Sequence, residues 1–320
     1  MPKQTRITPE GLALLQSYLE DNPRPLIGAK TIQLLLVREI HDYTVLRTEE
    51  TRELNTVATP LSIKQDGVDT RRVGFLATKQ KAAESRQLEY LLRTATEEMG
   101  VQVTRPCFLK DNLCMECPRC GLFGATSTKA GKGQIPNIKH RIEYSTAFSL
   151  LPFEDIESAT TFNAINDDQQ VTGQALGSRY AVVPASIFPS IVTLRSVTER
   201  ELVLAIKTIL ACKSYGAESR IGGDVRNTIF GIVAGWEEII TPLEFTLELF
   251  DHKDGISGAT VQVIAEAYRP LAGNPSRAQV FAPEQVEVIV KAAADTVLDK
   301  AFLQASYNDI KEYRKEQAKK

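Results

Sequence analysis

The chain has 320 residues, of which 43% are hydrophobic and 24% charged, values typical of a folded globular protein with one or two domains. Its formal net charge of −2 argues against a protein whose whole surface attracts nucleic acid. The longest apolar runs, such as residues 34–37, are far shorter than the about 20 residues that a bilayer span needs, and the first ten residues lack the apolar core of a signal peptide. We therefore expect a soluble, cytoplasmic protein that contacts no membrane.

The first half of the chain predicts strands that alternate with helices. Residues 31–37 are apolar on both faces, which predicts a buried central strand. Residues 45–75 mix Thr, Val and Leu with charge and predict a hairpin insertion, with an exposed turn at 64–72. Residues 82–99 carry leucines at helical spacing and are followed by Gly100, which predicts a long helix that ends there.

The second half continues the alternation. Residues 141–150 and 187–194 have strand composition, and 153–179 is rich in Thr, Asn, Gln, Asp and Gly, which predicts a projecting hairpin. A capping box at 198–201 predicts a helix through Cys212. The remaining predicted elements are a strand at 227–233 and helices at 243–250, 261–267 and 283 to about 315. Strands interspersed with helices predict an α/β or α+β sheet with helices on one face.

Four of the five cysteines lie close together in the sequence, at Cys107, Cys114, Cys117 and Cys120. This spacing offers four thiolates to one ion within a short segment. Zn²⁺ favours four soft ligands in a tetrahedron, and a site that is closed by four thiolates is structural because no position stays open for water. The cluster therefore predicts structural zinc and reduced thiols, since a disulfide framework is usually spread over a small secreted chain.

Two alternatives to this zinc site stay open. An iron–sulfur cluster also takes four cysteines, although the ferredoxin spacing ends in Cys-Pro, whereas Gly121 follows Cys120 here. His140 is an alternative to Cys107 as the fourth ligand, because an imidazole suits zinc equally. Cys212 lies on the apolar side of a predicted helix, which favours a core position.

Basic residues are concentrated in two segments. Residues 118–142 contain no acidic residue and include a glycine-rich cationic stretch at 124–133. That stretch misses the phosphate-loop pattern, because Lys132 is followed by Gly133 rather than by Ser or Thr. Small residues with lysines nevertheless suit a nucleic acid backbone. Residues 212–227 form a second basic, glycine-containing loop, from which arginines can bind phosphate and Tyr215 can stack on a base.

The sequence contains few signs of catalysis. His41, His140 and His252 lie in no H-E-x-x-H or triad-like setting, and no G-x-S-x-G is present. The adjacent acids Asp167 and Asp168 lie in the predicted hairpin and leave metal-dependent nuclease chemistry as an alternative. We expect a protein that is not an enzyme.

Five motifs together resemble one known family. They are Cys-x2-Cys-Pro-Arg-Cys-x-Leu-Phe-Gly-Ala-Thr from Cys114, Val-Thr-Gly-Gln-Ala from Val171, Val-Val-Pro-Ala from Val182, Phe-Pro-x-Ile-Val-Thr-Leu from Phe188 and Tyr-Gly-Ala-x-Ser-Arg-x-Gly from Tyr215. Their joint order, over about residues 25–270, resembles the crRNA-binding backbone subunit of subtype I-D CRISPR interference complexes (Cascade), in the repeat-associated mysterious protein superfamily.

The resemblance implies an α+β fold with an RNA-recognition-motif-like, ferredoxin-like core and additional C-terminal helices. In a single domain over 1–320, the insertions are then a hairpin at 45–75, a zinc-binding lobe with its basic loop at 105–140 and a thumb-like hairpin at 154–179. The C-terminal helical segment is 283–320. This organisation is an expectation that comes from the family and not from the spacing of residues alone.

The resemblance also implies a function without catalysis. The protein is expected to bind the sugar-phosphate backbone of crRNA, to form a filament with copies of itself and other subunits of the complex, and to present the guide to target DNA or RNA. The expected RNA contacts are Arg71, Arg72, Lys129, Lys132, Lys139, Arg141, Lys213, Tyr215, Ser219, Arg220 and Arg226. The alternatives are an RNA-guided ribonuclease that uses a loop aspartate and a stand-alone zinc-containing nucleic acid binder.

Overall fold

The strands and helices of the chain are taken from a computed structural model that describes residues 10–47, 53–65, 67–108, 113–126, 137–166, 171–219 and 222–319. The strands are β1 (Thr31–Ile40), β2 (Thr56–Pro60), β3 (Asp69–Phe75), β4 (Ala125–Thr126), β5 (Asn137–Ile138), β6 (Ile142–Tyr144), β7 (Ala147–Phe148), β8 (Glu157–Asn166), β9 (Val171–Val182), β10 (Ile187–Arg195), β11 (Val225–Gly235) and β12 (Gln279–Val280). The α-helices are α1 (Glu10–Ala13), α2 (Ala77–Glu98), α3 (Pro118–Phe123), α4 (Phe153–Ile156), α5 (Glu199–Ala211), α6 (Pro242–Phe250), α7 (Gly258–Tyr268), α8 (Pro283–Asp295) and α9 (Lys300–Ala318).

The centre of the fold is a five-stranded antiparallel sheet with the strand order β12-β11-β1-β10-β6. β1 pairs with β10 on one side and with β11 on the other, where the register shifts between Leu35 and Leu36. Helix α2 lies between β1 and β6 in the chain, and α5 joins β10 to β11. The prediction of a buried central strand at 31–37 is confirmed, because both neighbours of β1 are long strands and its side chains are buried on both faces.

Helices cover both faces of this sheet, whereas the sequence predicted helices on one face only. Leu34 and Leu36 of β1 belong to a core that includes side chains of α2, α5, α8 and α9. Leu35 and Val37 belong to a second core with α6 and α7 on the opposite face. The apolar residues of β1 alternate between the two faces, so each face needs its own cover to exclude water.

Two predicted segments have other structures. Residues 141–150 form two short strands, β6 and β7, which lie in different sheets, because β7 joins β2 and β3 in a separate three-stranded sheet. The predicted exposed turn at 64–72 is shorter than expected, because β3 already begins at Asp69 and Arg72 within it is buried.

β8 and β9 pair with each other as an antiparallel hairpin.

The C-terminal helical stretch is divided into α8 and α9, whereas the sequence predicted one run from 283 to about 315. The division lies at residues 296–299, where the Asp299 carboxylate accepts a hydrogen bond from Phe302 N at 2.7 Å and starts a new helix. The capping box that opens α5 is confirmed. Thr198 Oγ1 accepts from Glu201 N, and the Glu201 carboxylate accepts from Thr198 N at 3.0 Å.

Among the helices that the structure describes, none combines the length and the apolar composition needed to cross a bilayer.

Candidate metal centre and nucleic-acid interface

The four predicted thiols converge on one point. Their Sγ atoms all lie within 4.8 Å of one another. Cys107 Sγ is 3.5 Å from Cys120 Sγ, and Cys114 Sγ is 4.0 Å from Cys120 Sγ. A tetrahedron with Zn–S bonds of about 2.3 Å places its sulfur atoms about 3.8 Å apart. The cluster therefore has the size of a four-thiolate metal site.

Local backbone structure holds these sulfur atoms in place. Cys117 is the N-cap of α3, and its Sγ accepts a hydrogen bond from Cys120 N at 3.4 Å. Met115 has a positive φ of 63°, which turns the chain tightly between Cys114 and Cys117. Glu116 N donates to Cys114 Sγ at 3.5 Å. N–H groups aimed at sulfur stabilise thiolates, which are the form that binds metal.

The pKa values of the cysteine thiols differ from one another. Hydrogen bonds from Cys107, Cys117 and Cys120 lower the pKa of Cys114. Hydrogen bonding to Cys107 and Cys114, followed by burial, raises the pKa values of Cys117 and Cys120. A divalent cation among the four sulfur atoms would favour the thiolate at every position, since metal binding releases thiol protons. The donor set thus suits a soft divalent cation such as zinc.

Cys107 supplies the fourth thiol of the converging group, and the structure does not favour the His140 alternative. Among the described ligand atoms, the converging group contains Cys107 and not His140. His140 Nε2 instead lies 4.0 Å from a carboxylate oxygen of Glu143. Cys212 is buried in another core cluster, as predicted, and burial raises its pKa to about 11.

The metal lobe is anchored to the rest of the fold by α2 and α9. Ile310 and Tyr313 of α9 pack against the cysteine cluster. Arg119 Nε of α3 donates to Ser85 Oγ of α2 at 2.9 Å. A Cβ on Gly121 would lie 2.2 Å from Ile310 Cδ1, so α3 and α9 approach each other as closely as a glycine allows. The cysteine cluster therefore lies in a lobe that is continuous with the core.

Two of the predicted RNA contacts line one cleft. Lys213 and Arg226 are exposed and, together with His41, Asp224 and Val225, line an open cleft of about 400 Å³. It lies beside the end of β1, where His41 N donates to the Asp224 carbonyl at 2.8 Å. The structure thus brings together two cations that are 13 residues apart in the sequence.

The other exposed predicted contacts are spread over the surface. Arg71 donates to Thr56 Oγ1 at 2.6 Å, and its guanidinium lies 5.9 Å from the centre of the Phe153 ring. Lys139 is exposed at the end of the basic segment, and Ser219 is exposed in the α5–β11 loop. The predictions for Lys129, Lys132, Arg220, Asp167 and Asp168 lie outside the described residues.

The family of the chain follows from comparison with known proteins. Residues 14–318 match the model of the Csc2 CRISPR family. The chain belongs to the Csc2 CRISPR family. The family resemblance inferred from the sequence is thereby confirmed. A search of the curated proteins found no match.

Solved structures resemble this Csc2-family chain at low identity. The crystal structure of Thermofilum pendens Csc2 is 21% identical, with a TM-score of 0.65, over 97% of this chain and 98% of that chain. A chain of a CRISPR RNA-guided surveillance complex is 12% identical, with a TM-score of 0.46, over 87% and 98% of the two chains. A chain of a type IV-B CRISPR complex is 14% identical, with a TM-score of 0.42, over 62% and 90%. The first of these likenesses shows that the Csc2-family chain has the fold of the Thermofilum pendens protein.

Three predicted RNA contacts of the Csc2-family chain are buried, which corrects their expected role. Arg72 is fully buried in β3, where it donates to the Ser149 carbonyl at 2.7 Å, and burial lowers its pKa to about 10. Arg141 is also fully buried and forms an ion pair with Glu201. These guanidinium groups bind internal oxygen atoms and are not presented to a ligand.

The third, Tyr215, does not offer its ring to a base. Only 1% of the residue is exposed, and its hydroxyl donates to Glu84 Oε1 at 2.8 Å. The same oxygen lies 2.7 Å from Arg38 Nη1, which also donates to Asn227 Oδ1 at 2.8 Å. Asn227 in turn donates to the Ile209 carbonyl at 2.8 Å. We call Arg38, Glu84, Tyr215 and Asn227 the buried polar network.

The buried polar network connects β1, α2, β11 and the loop that carries Lys213. It positions the cleft, although it does not line it. Neither Arg38 nor Glu84 was predicted from the sequence as a residue that supports the site, although the sequence contains one signal for them. Arg38 continues the apolar face of β1 after Leu34 and Leu36, so it is a charge at a core position that needs a buried partner.

Proposed function

We propose that this protein is a non-catalytic, cytoplasmic RNA-binding subunit of a CRISPR interference complex. It binds the sugar-phosphate backbone of crRNA, assembles along that RNA with copies of itself and with other subunits, and presents the guide to target DNA or RNA. Membership of the Csc2 CRISPR family supports the proposal that the protein acts in a CRISPR system. In such guide-directed complexes base pairing selects the target, so the protein needs no base-specific contacts.

The observation that carries the proposal is the cationic cleft at the end of β1. Lys213 and Arg226 point into it, and neither forms an ion pair with another residue in the described part of the chain. Unpaired, solvated cations in a cleft attract phosphate without reading sequence. The buried polar network holds the backbone that carries the two side chains, which lowers the ordering cost of binding.

The arrangement of the sheet supports an RNA-recognition-motif-like core. The chain order β1-α2-β6-β10-α5-β11 is the β-α-β-β-α-β sequence of the ferredoxin-like motif, and these four strands are adjacent in one antiparallel sheet. Helices cover both faces of this sheet, so RNA would contact loops at the strand ends rather than a bare sheet face. The β8–β9 hairpin is the proposed thumb.

We further infer that the metal is structural zinc, held by Cys107, Cys114, Cys117 and Cys120. The compact thiol cluster and its packing against α9 support a role in fixing the lobe. Zinc bound there would hold α3 and the start of the basic segment in place. It would have no free coordination position for water, in line with a protein without catalytic activity.

Titration of RNA onto two variants tests the proposed function. Lys213→Ala with Arg226→Ala removes two phosphate contacts and should weaken binding about ten-fold at moderate salt, equally for RNAs of unrelated sequence. Lys291→Ala with Lys315→Ala is the matched control, because these exposed lysines of α8 and α9 already pair with carboxylates. Fluorescence anisotropy with labelled single-stranded RNA measures the affinity of both double variants. Unchanged binding in the first variant would exclude this cleft as the RNA site.

A further inference from the structure

A second pair of cations lies beside the same loop, at a carboxylate that they share. Glu218 Oε1 lies 3.1 Å from Arg47 Nη2, and Glu218 Oε2 lies 3.4 Å from Arg179 Nη1. Two guanidinium groups thus share a single carboxylate, which leaves an excess of one positive charge. All three side chains are partly exposed, at 24% for Arg47, 18% for Arg179 and 34% for Glu218.

Three separate elements meet at this carboxylate. Arg47 follows β1, Arg179 lies near the end of β9 in the proposed thumb, and Glu218 belongs to the α5–β11 loop. Backbone hydrogen bonds hold the elements together, with Ala217 N donating to the Val45 carbonyl at 2.9 Å. The segment 41–47 therefore runs from the Lys213 cleft at His41 to the arginine pair at Arg47. Both cationic sites thus lie along the segment 41–47.

Two features indicate that another anion can displace the Glu218 carboxylate from these arginines. Its φ of +59° is a left-handed conformation that is costly for a residue other than glycine, and such conformations are frequent at ligand-binding sites. Arg179 Nε is buried and has no hydrogen-bond partner among the described residues. Partly exposed ion pairs of this kind are weak, so a stronger anion can replace the carboxylate.

We propose that Glu218 is a displaceable internal anion, which occupies Arg47 and Arg179 until a phosphate of single-stranded RNA takes its place. A phosphate suits this pair, because two guanidinium groups can donate to separate oxygen atoms of the same anion. The inference rests on the proposed function and adds to it a second phosphate site at the base of the thumb. It also assigns an acidic residue that restrains RNA binding.

This inference is tested by whether Glu218→Gln raises or lowers the affinity for RNA. Glu218→Gln keeps the shape of the side chain and removes the competing charge, so a short labelled oligouridylate should bind about two-fold to ten-fold more tightly. Arg47→Gln and Arg179→Gln should each weaken binding, and the two substitutions together should reduce the slope of log K against log salt by about 0.7, because the two arginines hold one phosphate. If Glu218 only held the loop in place, its removal would weaken binding instead.

Matched controls separate this inference from the proposed function. Glu238→Gln removes a similarly exposed carboxylate, paired with Arg195 at the opposite end of the sheet, and should leave RNA affinity unchanged. Glu218→Asn is a second uncharged variant, because asparagine tolerates a positive φ. Tighter binding by both Glu218 variants supports the inference. Equal or weaker binding overturns it, while a loss of affinity in Lys213→Ala with Arg226→Ala would still support the proposed function.

Discussion

Breaking the buried ion pair between Arg38 and Glu84 by removing one of its charges should strongly destabilise the fold. Both side chains are fully buried, and Arg38 Nη1 lies 2.7 Å from Glu84 Oε1. Glu84→Gln would leave a buried guanidinium without a compensating charge, and breaking such a pair typically costs about 3–5 kcal/mol. Because domains are stable by about 5–15 kcal/mol, this variant should unfold at a markedly lower denaturant concentration.

Urea unfolding followed by circular dichroism, with zinc kept in excess, measures this free energy of unfolding. Glu238→Gln is the control, since its partly exposed ion pair with Arg195 should contribute less than about 1 kcal/mol. Replacing Arg38 and Glu84 together by methionine should cost less than Glu84→Gln alone, because no unpaired charge remains. A loss below about 1 kcal/mol in Glu84→Gln would refute the reasoning.

Three further predictions concern the metal lobe and the cleft. Gly121→Ala places a methyl group 2.2 Å from a side chain of α9 and should cost about 1–3 kcal/mol in the same unfolding assay; no loss would contradict this close packing. Cys114→Ser should lose the bound zinc, while Cys212→Ser should retain it, as measured by metal analysis of purified protein; zinc retained in both would exclude the proposed site. Lys213→Ala with Arg226→Ala should reduce the slope of log K against log salt by about 1.4, and an unchanged slope would exclude two phosphate contacts in the cleft.

Local signals made part of this fold predictable. The continuous apolar run of β1 and the capping box of α5 depend on residues that are adjacent in the sequence, and both predictions are confirmed. The cysteine cluster was predictable for the same reason, because three of its thiols recur every three residues and the fourth lies seven residues upstream. Such spacings restrict geometry even before tertiary structure is known.

Burial was the property that the sequence did not disclose. Arg72, Arg141 and Tyr215 lie in polar segments that are typical of exposed loops, yet each is buried by partners from distant parts of the chain. Arg72 binds the carbonyl of Ser149, 77 residues away, and Tyr215 binds Glu84, 131 residues away. Because the partners are so far apart in the sequence, no local sequence pattern indicates either hydrogen bond. Lys213 and Arg226 share a cleft for a similar reason, since the two ends of a loop return to the same strand end.

The central claim is that copies of this protein line up on single-stranded RNA through backbone contacts. Mass photometry of nucleic-acid-free protein, mixed with RNAs of increasing length and unrelated sequence, measures this directly. The number of copies per RNA should rise stepwise with length, regardless of sequence, and should fall as salt increases. Complexes that contain one copy at every RNA length, or no binding at low ionic strength, would contradict the account.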